Sequence, residues 1–61
     1  MLSEAEILEM YNKSTYRAAG YYDNDDLYQA YIHNAMTLGK ILEIGEQETM
    51  SAIREHLEKL R

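Results

Sequence analysis

The densest set of potential cation ligands in the chain is Asp23-Asn24-Asp25-Asp26, four oxygen-bearing side chains in a row. Hard divalent cations take such oxygens, and an EF-hand loop would arrange them at alternate positions, with a glycine sixth and a glutamate twelfth. Here the third alternate position is Leu27, no glycine follows, and position 34 is Asn34 rather than a glutamate. The run therefore reads as a solvated turn whose last aspartate caps the next helix. His33 and His56 are the only imidazoles, and neither belongs to an H-E-x-x-H or Glu-x-x-His pattern. They read as histidines at the boundary of apolar stripes, and no metal site or cofactor is expected. Ser3, Ser14 and Ser51 have no G-x-S-x-G elbow around them, there is no cysteine, and Gly20, Gly39 and Gly45 are isolated rather than gathered into a phosphate loop. A chain of 61 residues also has little material from which to enclose a dry pocket. The expectation is a protein that is not an enzyme.

What remains is tyrosine. All six tyrosines lie between positions 11 and 31, and there is no phenylalanine or tryptophan. A tyrosine packs like a large apolar residue but needs an outlet for its hydroxyl. Such a set belongs either to a wet core or to a surface that meets a partner.

The elements that position these rings are helical. There is no proline, and good helix formers dominate without sustained period-two alternation. Ser3 with Glu6 forms a capping-box pattern, which predicts a helix over 4–22. Its inward stripe is Ile7, Leu8, Tyr11, Thr15, Ala18, Ala19 and Tyr22 at about 100° per residue. A second helix is predicted over 26–44. It carries one stripe of Tyr28, Tyr31, Ile32, Ala35, Leu38, Gly39 and Leu42, and another of Ala30, Thr37, Ile41 and Ile44. Two apolar sides suggest that this helix is the middle of the structure, and Ala35 and Gly39 are small enough for a neighbour to come close. Gly45 fits the C′ position after it. A third helix over 46–60 presents a thin seam of Met50, Ile53, Leu57 and Leu60, with Glu55 and Lys59 four apart outside it.

The fold class expected is all-α, a three-helix arrangement. Because the seam keeps its period through Gly45, the alternative is one long helix after the first turn, giving an αα-hairpin that dimerises into a four-helix bundle. So short a chain without disulfides is marginally stable alone, so a homo-oligomer is expected. Its interface would use Met50, Ile53, Leu57, Leu60, Ile41 and Ile44.

Eleven acids against six bases set the net charge at −5. That balance disfavours direct nucleic-acid binding, which needs a basic patch, and attraction to anionic membranes. No apolar run reaches the length of a membrane span, and Met1-Leu2-Ser3-Glu4 leads straight into a helical pattern without a signal-peptide stretch. A native start and a cytoplasmic location are expected.

Tyr11, Tyr22, Tyr28 and Tyr31 fall on the inward stripes and read as the seam of the first hairpin. Tyr16 and Tyr21 point away from the first stripe, with Met10 on the same outer side as Tyr21. Tyrosine and methionine are enriched at interfaces, so Tyr16, Tyr21 and Met10 are the expected partner-binding residues, the partner being another protein. Tyr21-Tyr22 with Ala30 eight residues on resembles a tetratricopeptide hairpin. Asn34 and Thr37 stand where that repeat has an aromatic residue and an alanine, and the resemblance implies only αα-hairpin geometry. In texture the whole chain resembles the short acidic reading frames of bacteriophages and prophages. That resemblance implies a phage- or mobile-element-type inhibitor or regulator that binds and blocks a larger host protein. Two alternatives are an acidic mimic of nucleic acid, built on Glu4, Glu6, Glu9, Asp23, Asp25 and Asp26, and a ligand- or metal-binding helical bundle.

Overall fold

Ser3 starts the first helix as its spacing predicts. Its hydroxyl accepts the Glu6 N–H at 3.2 Å, and the Glu6 carboxylate returns to the Ser3 N–H at 3.4 Å. In the computed structural model, which describes residues 2–60, this helix is α1, Glu4–Gly20. It is followed by α2, Asp25–Ile41, and α3, Glu46–Leu60. Met1, where the chain starts, lies outside the described residues. The protein is all-α, with three separate helices rather than a long hairpin.

The helix ends differ from the spacing-based expectation for local reasons. α1 closes at Gly20, not residue 22, because the i→i−4 ladder ends with the Tyr21 N–H on the Arg17 carbonyl at 3.0 Å, and the Tyr22 N–H bonds only three residues back, to the Ala19 carbonyl at 3.3 Å. The cap of α2 is Asn24 rather than the last aspartate. Its side-chain oxygen accepts the Leu27 N–H at 3.2 Å, leaving Asp25 and Asp26 in the first turn, where the positive end of the helix dipole favours them.

At its other end α2 stops at Ile41, three residues early. The Ile44 N–H bonds the Gly39 carbonyl at 2.7 Å and the Glu43 N–H bonds the Lys40 carbonyl at 3.2 Å. These two bonds make a Schellman motif, with Ile44 folding back onto the Tyr11, Ala35 and Leu38 cluster. The left-handed C′ residue is therefore Glu43, at φ 61°, and not Gly45. Gly45 instead opens α3, its carbonyl accepting the Thr49 N–H at 3.0 Å.

Glu43 suits its place poorly. A side chain in the left-handed region costs about 1–2 kcal/mol, and a carboxylate at a helix C-terminus meets the negative end of the dipole. Glycine would relieve both, less the entropy it adds to the unfolded chain. Glu43→Gly is expected to stabilise by about 0.5–1 kcal/mol. Thermal unfolding followed by circular dichroism should then show a midpoint several degrees higher. Glu43→Ala, which keeps the Cβ, should gain clearly less, and equal gains would show that backbone strain is not the cause.

α1 is the middle of the structure, not α2. It packs against both other helices, while α2 and α3 touch sparsely. The second stripe of α2 is correspondingly open: Ala30, Thr37 and Ile41 are exposed. Two apolar clusters flank α1. One joins Tyr11, Ala35 and Leu38 with Ile7, Leu42 and Ile44. The other joins Ala18, Ala19 and Ile53 with Tyr28, Tyr31, Ile32, Met50 and Leu57.

Polar links thread between these clusters. The buried Tyr11 hydroxyl donates to Thr49 Oγ1 at 2.9 Å, and the Thr49 hydroxyl donates to the Gly45 carbonyl at 3.0 Å. Asn34 Nδ2 donates to the buried Ser14 hydroxyl at 2.6 Å. Among the described residues no buried side-chain polar atom lacks a partner. Gly39 sits where the three helices and the α2–α3 turn converge. A Cβ there would lie 3.3 Å from the Ile44 carbonyl oxygen, 3.3 Å from Thr49 Oγ1 and 3.4 Å from Tyr11 Cε2.

Candidate functional site

Because α1 ends at Gly20, the next two residues leave the helical phase, and the tyrosines divide differently from the stripe pattern. Only Tyr11 is buried. Tyr22, expected on the inward stripe, is 52% exposed, since it lies in the turn rather than on the helix. Leu8, also placed on that stripe, is 44% exposed. Tyr28 and Tyr31 are half-buried.

Four rings pair across the α1–α2 turn. Tyr21 stacks on Tyr31 with centroids 5.6 Å apart and planes 7° from parallel. Tyr22 meets Tyr28 edge to face, at 5.3 Å and 76°. Both geometries suit the ring quadrupole. Tyr21, Tyr22 and Leu27 remain substantially exposed around this array. Beside it opens a cleft of about 330 Å³, lined by Tyr22, Tyr28, Met50, Ile53 and Leu57 and by the charged residues Arg54 and Glu58. The tyrosine end of the molecule is thus a ridge of paired aromatic rings next to a partly apolar cleft.

Of the residues expected to bind a partner, only Tyr21 belongs to this end. Tyr16 lies on the other flank of α1, edge to face with His56 of α3 at 5.5 Å and 80°. Met10 stands eleven residues before Tyr21, about 16 Å away along the axis of α1. The three do not form one patch.

The residues expected at an oligomer interface also separate. Ile53 is 1% exposed and fills the second cluster, with Met50 and Leu57 packed against it, and Ile44 covers the first. Ile41 and Leu60 are exposed, at 60% and 50%. Sequence reasoning missed the role of Thr49, and the signal was its place four residues before Ile53 on the seam.

A second concavity runs along α1 from Ala5 to Arg17. It is an open groove of about 680 Å³ whose chiefly apolar lining includes Ala5, Leu8, Tyr16 and His56, with Glu9, Lys13 and Arg17 at its rim. Glu9 and Lys13 pair within the helix at 3.5 Å. Asp23, Asp25 and Asp26 are exposed around the Asn24 cap. Among the described residues no three acidic or histidine side chains converge as a cation site, and no helix is long and apolar enough to cross a membrane. No protein-family model, no curated protein and no solved structure matches this chain.

Proposed function

We propose that the chain is a protein-binding module that works by stoichiometric docking through its tyrosine end. The observation that carries this reading is the pairing of Tyr21 with Tyr31 and of Tyr22 with Tyr28, which sets partly exposed rings against one another beside the cleft. Anchors ordered in advance lose little entropy on binding, and tyrosine is among the residues that dominate interface energetics. Arg54 and Glu58 at the cleft supply polar contacts of both signs, which set orientation rather than bulk affinity. Together with the acidic, phage-like texture of the chain, this favours an inhibitor or regulator that occupies a surface of a larger host protein in the cytoplasm.

The test compares proteins captured from bacterial lysate by the wild-type chain and by Tyr22→Ser. Tyr22 is half-exposed, so the variant should keep its helical circular dichroism. The expected result is a protein held by the wild type at near-equimolar ratio and retained at least about tenfold less by the variant, as for loss of one interface anchor. Failure to enrich any protein, or equal capture by both chains, would overturn the reading.

A further inference from the structure

The groove along α1 from Ala5 to Arg17 shares no residue with the tyrosine cleft, and its composition specifies an occupant. Every charge on α1 is sorted by sign along the helix. Glu4, Glu6 and Glu9 fall in the first half, Lys13 and Arg17 in the second. The apolar strip between them reads Ala5, Leu8, Asn12, Tyr16, with one polar residue at its middle. Leu8 and Tyr16 are 44% and 53% exposed, so the strip is open to solvent in the single chain.

We infer that this groove binds a second copy of the same chain, the two α1 helices lying antiparallel about a twofold axis near Asn12. In that arrangement Leu8 of each copy meets Tyr16 of the other, since positions 8 and 16 are equidistant from 12. The acidic half of each helix lies over the basic half of its twin. Glu9, three residues before the axis, and Lys13, one after it, fall on the same edge of the pair about 3 Å apart along the helix direction, within ion-pair reach across the interface, and the contact occurs twice by symmetry. Asn12 meets its own copy on the axis, where a reciprocal amide hydrogen bond fixes the register, as a lone asparagine does in a coiled-coil seam. A parallel pair would set Glu9 against Glu9 and Lys13 against Lys13, so the charges select the antiparallel form. No other partner is needed to explain why one helix face carries an apolar strip with oppositely charged ends.

The test is the solution mass of the full chain by sedimentation equilibrium across micromolar to millimolar concentration. The wild type is expected at twice the 7.1 kDa chain mass. Leu8→Lys should sediment as one chain while keeping its helical circular dichroism. Glu9→Lys and Lys13→Glu are both at exposed positions, and each sets like charges opposite one another. Each alone should raise the dissociation constant about tenfold or more. An equimolar mixture of the two should restore tight pairing, because every cross-chain contact between positions 9 and 13 then joins opposite charges again. A one-chain mass for the wild type would overturn the proposal. So would a two-chain mass that Leu8→Lys leaves intact, or a mixture that pairs no better than its components. None of these outcomes bears on capture through Tyr22, so the two readings fail separately.

Discussion

Ile53→Ala is expected to cost about 2–5 kcal/mol of folding stability, with the value in the upper half of that range. Ile53 is 1% exposed and is the largest side chain fully enclosed by the described residues. The other buried residues of its cluster, Ala18 and Ala19, are single methyl groups fixed to the backbone of α1 and cannot swing in to fill the space. The cavity therefore stays open, and the lost dispersion contacts add to the lost transfer energy. A domain of this length has a total stability of roughly 3–9 kcal/mol, so this one truncation removes a large share of it. Urea unfolding followed by circular dichroism should show a much lower midpoint, whereas Ile41→Ala, at a residue 60% exposed, should move it by no more than about 0.5 kcal/mol. Comparable losses from the two variants would contradict the packing described.

The second large effect is expected at Thr49. Thr49→Val keeps the shape of the side chain but removes the acceptor for the Tyr11 hydroxyl, which is 2.9 Å away in a residue 5% exposed. A buried donor without a partner costs about 1–3 kcal/mol, more than the net worth of the bond when intact. Tyr11→Phe alone should cost about 1 kcal/mol or less, because Thr49 retains its own bond to the Gly45 carbonyl. In the Thr49→Val background the same Tyr11→Phe change should recover stability, since it removes the stranded hydroxyl. A double-mutant cycle by denaturant unfolding reads the coupling directly. Strictly additive losses would show that the two hydroxyls do not depend on one another.

Much of the fold was legible because local chemistry decides it. Ser3 and Glu6 announce the start of α1, and the limits of α3 follow from its seam. Ala35 and Gly39 identify the place of close approach from their size and spacing alone. The illegible parts depend on what happens after a helix stops. Extrapolating the periodicity of α1 past Gly20 puts Tyr22 in the core, while the turn carries it outside. Extending α2 to Ile44 misses that Ile44 bonds back to Gly39, because the signal for that motif is usually glycine and here the left-handed residue is Glu43. The second apolar stripe of α2 suggested burial on two sides. Which helix lies centrally, however, depends on the angles at which the three cross, and those are not written in any single segment. At the site, Tyr21 was legible as a surface ring. Its pairing with Tyr31, and that of Tyr22 with Tyr28, required the turn geometry.

The sparse contact between α2 and α3 has a kinetic consequence. α3 is anchored mainly by α1, and less extensively than α2 is, so it is the element expected to detach at least cost, leaving the α1–α2 hairpin behind. Its departure carries off Met50, Ile53 and Leu57 from the cleft beside the tyrosines, and His56 from the edge of Tyr16. Both concavities therefore persist only for the lifetime of the docked α3. Anything that binds either of them across the α1–α3 seam also slows solvent exchange of amide protons along α3.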